Sequence, residues 1–324
     1  SVQVKDSVFA PASVPISEEN KAYAGEYGYI AMFKPQPGER RWIGNLKKYK
    51  LNRENEFVSC DGNTPVFTDG GINDSASSCW GGDRADCGSV AQGGAGEILS
   101  ERPPEDRTIY TNTGDGASIE DFESFLLSNR ISADLNAEIL KSTIFMEGQE
   151  WKLGDLNHSR PAVASYGKGQ RYIFVGSNNG LLHCFDASDG SEKWAFVPRQ
   201  QFDRLDDVYS GGHPYFMDGS PTMANTGKGK KIVICGERRG GNHYYAMDIT
   251  SIDVPKDLYT EHSSGQSWKK PQFIRVATKD FMNNPESRSP KGAFLLTGGY
   301  DEIYDTHDTG EFPEEYVSVG DSVY

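Results

Sequence analysis

Short apolar runs separated by turn signals give the middle of the chain the pattern of an antiparallel β-sheet. Asn179-Gly180 and Asp189-Gly190 each stand between two such runs and are typical of tight hairpin turns. The predicted strands are 161–164, 172–175, 181–185 and 193–197. We therefore expect four short antiparallel strands in one structural unit.

This unit is repeated. Residues 161–176 recur at 221–236 with a constant offset of 60, and six of the sixteen positions are identical. A looser third copy ends at Gly298, 62 residues after Gly236. Self-similarity at such a period indicates a solenoid, a propeller or an array. Four strands per unit favour a propeller, because solenoid units contain one strand or a helix pair.

The sequence thus predicts an all-β fold, a β-propeller present as a partial ring with loop-rich and short helical insertions. We expect N-terminal propeller strands in 1–58, a loop-rich, cysteine-containing insertion with two short helices in 59–150, and blades in 151–324. The expected repeat units lie near 161–220, 221–285 and 290–324, the last of them incomplete. Part of the ring is then expected to lie outside this chain, since a propeller closes only with at least about four blades.

Two further elements are predicted before the repeats. The alternation of apolar and polar residues over 41–51 predicts a hairpin. Helices opening at Ser118 and Ser132 are expected to decorate the rim of the propeller.

Composition limits the function. The 324 residues carry 33 Lys and Arg against 47 Asp and Glu, a net charge of −14 that opposes binding to nucleic acid. No apolar run reaches the about 18 residues that a transmembrane helix needs. Much of the negative charge lies in 301–321, where Asp301, Asp305 and Asp308 are candidate cation ligands, although a solvated acidic loop explains them equally.

The five cysteines show no metal-binding or haem spacing, which favours a compartment that permits disulfides. Cys79 and Cys87 are the nearest pair and are the predicted disulfide. The odd number leaves at least one cysteine without a partner in the chain. A secreted protein is therefore expected.

Several segments, in the same order along the chain, resemble the C-terminal propeller of the PilY family of type IV pilus tip-associated adhesin and biogenesis proteins. They are 42–49, 153–161, 175–187, 194–198, 213–221 and 238–248. The resemblance implies a non-catalytic interaction module at the pilus tip or outer membrane of a bacterium, on the cell surface or outside the cell. Its implied partners are minor pilins and the pilus tip, with surfaces or host-cell receptors, and its Ca²⁺ loop is expected beyond Tyr324.

Other functions stay open at this point. Residues 186–194 are similar to the tryptophan-docking motif of quinone-dependent dehydrogenase propellers, in which Trp194 would pack one blade on the next. The alternatives are therefore a quinone (PQQ)-dependent oxidoreductase and an outer-membrane assembly scaffold. Asp155, His158 and Ser159 have the residue types of a hydrolase triad but not its turn motif, so we expect turn and cap residues there.

Arg238 and Arg239 are candidate contacts for an acidic partner. A longer hairpin loop with two solvated arginines is the alternative interpretation.

Overall fold

The computed structural model describes residues 26–323 except 37, 69–70, 83, 114–118, 129–136, 210–211, 227–228, 264, 268–269, 277–290 and 297–321. The described part is mostly β-sheet. The strands are β1 Tyr27–Lys34, β2 Ile43–Leu51, β3 Phe57–Val58, β4 Phe67–Thr68, β5 Gly71–Ile72, β6 Ile109–Asn112, β7 Ile119–Asp121, β8 Ala162–Ser165, β9 Arg171–Gly176, β10 Leu182–Asp186, β11 Glu192–Val197, β12 Thr222–Asn225, β13 Lys231–Gly236, β14 His243–Asp248, β15 Lys256–His262, β16 Gln272–Val276, β17 Lys291–Leu296 and β18 Ser322–Val323. The α-helices are α1 Gly94–Glu101, α2 Phe122–Leu127 and α3 Ala137–Phe145, and 3-10 segments occupy Pro104–Asp106, Arg199–Tyr209 and Arg238–Gly240.

The strands form separate sheets in chain order. β8 to β11 pair antiparallel, each with the next, and β12 to β15 do the same. Three-stranded sheets precede and follow them, in the orders β1-β2-β3 and β16-β17-β18, and β4 and β5 form a small ribbon. β6 adds to the outer side of β11 in parallel, with β7 beyond it, so this sheet has six strands.

The duplicated stretch folds into equivalent hairpins. Ala162 of β8 pairs with Phe174 of β9, and Thr222 of β12 pairs with Ile234 of β13, so both partners move by the same 60 residues. The third sheet starts at β16 rather than near residue 290, because Gln272–Val276 pairs with Lys291–Leu296. The predicted four-stranded unit is therefore present twice, and its first two strands a third time.

Consecutive sheets lie side by side. β8 is next to β12, and β12 is next to β16. Trp194 of β11 is buried in a cluster with Val233, Tyr245 and Met247 of the following sheet, and its indole N–H donates to the carbonyl of Ile252 at 2.7 Å. This indole packs one sheet on the next, as the sequence predicts.

Glycines allow the closest approaches between sheets. A Cβ built on Gly176, at the end of β9, would lie 2.1 Å from the carbonyl oxygen of Met217, and one on Gly44 would lie 2.2 Å from that of Gly154. No side chain fits at either position without moving the backbone that leads into the next sheet.

Replacing Gly176 with alanine should therefore lower the free energy of unfolding by about 1–3 kcal/mol, the usual range for overpacking. Chemical denaturation measures this change. Gly212→Ala is the control, because nothing lies within 4 Å of a Cβ built there. Equal stabilities of the two variants would show that the sheets do not meet at Gly176.

Two predictions about the N-terminal half are wrong. Residues 41–51 do not form a hairpin, because Ile43–Leu51 is one strand paired along β1, and Gly44-Asn45 lies inside it opposite Phe33 and Met32. The helices are not rim decoration, since α2 and α3 bury apolar side chains in a cluster with Val197 of β11. The helices of the described residues are all too short and too polar to cross a bilayer.

Candidate functional site

Polar and aromatic side chains gather where loops of adjacent sheets meet. They come from the segment before β2, the segment before β8, the β9–β10 turn, the segment before β12 and the loop after β13. We call the set the junction cluster, and its members are Trp42, Asp155, His158, Asn178, His213, Tyr215, Asp218 and Arg238. The backbone brings these loops together, because Asp155 N–H donates to the Trp42 carbonyl and Asn178 N–H donates to the Asp155 carbonyl.

One amide joins two buried carboxylates at the centre of the junction cluster. Asn178 Nδ2 donates to Asp155 Oδ1 at 2.8 Å and to Asp218 Oδ1 at 3.4 Å. Its Oδ1 accepts from the N–H of Phe216 at 3.1 Å. Both aspartates are 1% exposed, so their charges need partners inside the protein.

Cationic groups supply those partners. His158 Nδ1 lies 2.8 Å from Asp218 Oδ2, and Arg238 Nη1 lies 3.3 Å from the same oxygen. His213 Nε2 lies 3.3 Å from Asp155 Oδ2, an ion-pair contact without hydrogen-bond geometry. The junction cluster therefore ties at least three sheets together through paired charges.

His213 is held in place by an aromatic stack. Its ring lies on Trp42 with centroids 3.9 Å apart and an angle of 2° between the planes, and Nδ1 is 2.9 Å from the Arg40 carbonyl oxygen. Burial acts to lower the pKa of His213, but contact with the Asp155 carboxylate and the Arg40 carbonyl outweighs it, so the pKa is raised above its ordinary value. The imidazolium form is the one that this environment stabilises.

This gives a pH dependence with a defined sign. Because the folded-state pKa of His213 is raised, its stabilising contribution is fully present below the unfolded pKa of about 6.5 and is lost as the pH rises through the folded pKa. His213→Phe should remove the decline in unfolding free energy between about pH 6 and 8 that depends on this side chain, as measured by urea denaturation. His262→Gln, which changes an exposed histidine, is the control and should keep the decline; the same decline in His213→Phe would exclude His213 as its source.

The residue types of a hydrolase triad are not assembled as one. The Ser159 hydroxyl donates to the Gly219 carbonyl and accepts from the Gly176 N–H, both at 2.8 Å. His158 turns to Asp218 instead. These residues connect the loops between sheets, in agreement with the turn and cap roles predicted for them.

The two arginines of the β13–β14 loop have different environments. Arg238 has a left-handed backbone with φ of 56°, and its side chain is 22% exposed beside Asp218. Arg239 is exposed, and its guanidinium carbon lies 5.3 Å from the centroid of the Tyr215 ring. The interpretation as two solvated arginines therefore applies to Arg239 but not to Arg238.

The predicted disulfide is wrong. Cys79 is bonded to Cys60, with 4.9 Å between their Cα atoms. Cys87 is a free thiol, 1% exposed, which accepts a hydrogen bond from the Tyr49 hydroxyl at 3.3 Å. Nearness in sequence misled here, because the chain turns Cys87 into the core beneath β2 while Cys60 and Cys79 stay near the surface.

The candidate cation ligands lie outside the described residues. These are Asp301, Asp305 and Asp308. Within the part of the chain that the structure describes, no group of three or more His, Cys, Asp or Glu side chains is arranged to hold a metal ion.

A second, fully buried network joins the insertion to the six-stranded sheet. Arg107 donates from Nε and Nη2 to the two carboxylate oxygens of Glu192 at 2.8 and 3.0 Å. Glu192 also contacts His183 Nδ1 at 2.7 Å, and His183 Nε2 lies 2.8 Å from the Ser177 hydroxyl. Burial acts to raise the pKa of Glu192, but the charge of Arg107 prevails and holds it far below its ordinary value. Burial lowers the pKa of His183.

The fold and the junction cluster define a repeat-built β-sheet protein whose polar groups join sheets to one another. No family profile matches the chain. The type IV pilus biogenesis factor PilY1 of Pseudomonas aeruginosa strain UCBPP-PA14 is 27% identical over 264 residues, which cover 62% of this chain and 23% of that protein. A PilY1 homologue of Xylella fastidiosa is 42% identical over 147 residues, 39% of this chain and 12% of that protein.

These matches confirm the resemblance to the PilY family: the chain is homologous to PilY1 proteins. It spans about a quarter or less of the length of these relatives.

Two solved structures share low overall similarity with the chain. The crystal structure of the Pseudomonas aeruginosa PilY1 C-terminal domain is 28% identical and aligns with 42% of this chain and 26% of that one, with a TM-score of 0.32. A GH43 β-1,3-galactosidase aligns with 84% of this chain and 64% of that one, at 11% identity and a TM-score of 0.34. Scores this low support no conclusion about fold or activity.

Proposed function

We propose that this chain is part of a type IV pilus biogenesis factor and acts by binding other proteins rather than by catalysis. The observation that carries the proposal is its homology to PilY1 proteins, of which the Xylella fastidiosa homologue is 42% identical over the matched residues. The geometry agrees with a binding role, because Ser159 hydrogen-bonds to backbone groups and the buried carboxylates of Asp155 and Asp218 are paired with cations.

The same proposal includes the architecture. The consecutive sheets are blades of a propeller, which the order of β8, β12 and β16 and the packing of Trp194 on the next sheet support. Residues 1–58 and 151–324 supply blades, and 59–150 forms an insertion, of which β6 and β7 join a blade. This arrangement leaves the loops between blades as the surface for partners.

Location and partners follow from the homology. The protein acts at the cell surface or outside the cell, at the pilus tip as an adhesin and assembly factor, with minor pilins as its first partners. The names of the relatives support a role in the type IV pilus system.

Deleting the gene for this protein in its own bacterium tests the function. Surface pili and twitching motility should be lost, and the full-length gene should restore both. Gly212→Ala is the control for complementation, because it leaves the fold unchanged. An unchanged number of pili in the deletion strain would contradict the proposal.

A further inference from the structure

We propose that the loop Arg238–Asn242, with Arg239 and Tyr215 at its tip, is the docking site for a carboxylate-bearing segment of a partner protein. This inference rests on the proposed binding function and names the chemistry of the partner. We call the loop the arginine loop.

The arginine loop is an addition to the repeated unit. In the first copy Val175 pairs with His183, 8 positions on, whereas in the second copy the equivalent Cys235 pairs with Tyr245, 10 positions on. The shorter turn buries its asparagines, and Asn178 belongs to the junction cluster. The two extra residues of the second copy are not needed to connect the strands, and the loop they lengthen places an arginine on the surface.

A buried glutamate fixes the shape of the arginine loop. Glu237 is 1% exposed and accepts hydrogen bonds from the Tyr245 hydroxyl at 2.6 Å, from Gln201 Nε2 at 3.1 Å and from the N–H of His243 at 2.9 Å. Gly240 packs so closely on Phe216 that a Cβ would lie 1.7 Å from its carbonyl oxygen. A loop held in this way loses little conformational entropy when a partner binds.

Arg239 and Tyr215 form a surface suited to a carboxylate. The guanidinium lies over the Tyr215 ring, with Nη1 3.4 Å from the phenol oxygen. The ring continues into the junction cluster, because its centroid is 6.0 Å from that of His158 and 5.3 Å from that of His213. A guanidinium stacked on an aromatic ring presents its N–H donors at its edge, which matches the two oxygens of a carboxylate. Arginine and tyrosine are also the residues most often responsible for binding energy at interfaces.

Charge selects the kind of partner. A second copy of this chain is disfavoured, because each carries a net charge of −14. A membrane or a nucleic acid would need a broad array of basic side chains, whereas this surface is centred on Arg239 over an aromatic ring. An acidic polypeptide segment fits both the cation and the ring beside it.

Binding of a labelled peptide tests the inference. The probe is a fluorescein-labelled peptide of five Glu-Tyr repeats, and the matched ligand has Gln in place of each Glu, both at low salt with the purified protein. The Glu peptide should bind, and Arg239→Glu should weaken it about tenfold or more, the effect of losing one charge-assisted contact. Arg239→Lys should recover part of the affinity, because lysine keeps the charge but not the planar fork.

Arg53→Glu is the matched control, since it makes the same charge change at an exposed residue of the β2–β3 turn. Equal weakening by Arg53→Glu, or equal affinity for the Gln peptide, would overturn the docking site. Circular dichroism checks that the variants stay folded. Full restoration of pili by the Arg239→Glu gene would also overturn the docking site but leave the pilus function intact, whereas a deletion strain with normal pili would overturn the function itself.

Discussion

Replacing Glu192 with glutamine should lower the free energy of unfolding by about 3–5 kcal/mol, the range for breaking a buried ion pair on one side. Both side chains of the Arg107–Glu192 pair are 0% exposed. Glutamine would leave the guanidinium buried with no opposite charge, and it would weaken the contact with His183. Because Arg107 also donates to the carbonyl of Ile144 in α3, the insertion should loosen from the sheet together with the pair.

Urea denaturation followed by tryptophan fluorescence measures the change. The control is Asp253→Asn, which breaks the exposed pair between Asp253 and Lys193, the residue next to Glu192 in β11. Its effect should stay within about 1 kcal/mol. The double variant Arg107→Met, Glu192→Met should be more stable than Glu192→Gln, because it leaves no uncompensated charge. A loss below 1 kcal/mol for Glu192→Gln would mean that the pair is open to water.

Replacing Trp194 with alanine should lower the free energy of unfolding by about 3–5 kcal/mol, the usual effect of truncating a buried tryptophan. The side chain is 1% exposed and lies between two sheets, where Phe174 and Tyr110 contact its ring edge to face. Its loss would open a cavity at the contact between sheets and leave the Ile252 carbonyl without its donor.

Trp194→Phe separates the two contributions. Phenylalanine keeps an aromatic ring in the site but cannot donate to Ile252, so the loss should be smaller than for alanine. Lys193→Ala, one residue away and partly exposed, should change stability little. If Trp194→Ala were no more harmful than Lys193→Ala, the indole would not hold the two sheets together.

The repeat allowed the sheets to be predicted, because strand pairing depends on local pattern and turn chemistry. The offset of 60 in the sequence is the offset in pairing, from Ala162 and Phe174 to Thr222 and Ile234. The docking role of Trp194 was also predictable, since a large aromatic residue in the outermost strand of a repeat has only the next unit to pack against.

Contacts between distant segments could not be predicted. The parallel addition of β6 to β11 depends on where the chain returns after the insertion, which no local pattern encodes. Arg107 and Glu192 are 85 residues apart, and each has the appearance of a surface charge in the sequence. The disulfide between Cys60 and Cys79 depends likewise on how the loops fold, not on sequence spacing.

The junction cluster was recognised only in part. Asp155 and His158 stood out by residue type, but their partners Asn178, His213 and Asp218 did not. One signal was present: His158 and Asp218 are 60 residues apart, so they occupy the same position in successive copies of the repeat. Equivalent positions that precede neighbouring inner strands lie close together in space, and this rule would have found the pair.

An experimental structure of the purified protein tests the central claim most directly, namely that the duplicated stretches form neighbouring sheets around a shared axis. The account predicts that β8, β12 and β16 lie next to one another as the inner strands of successive sheets, with Trp194 between the first two sheets. Sheets stacked face to face as a sandwich, or joined edge to edge as one continuous sheet, would contradict it.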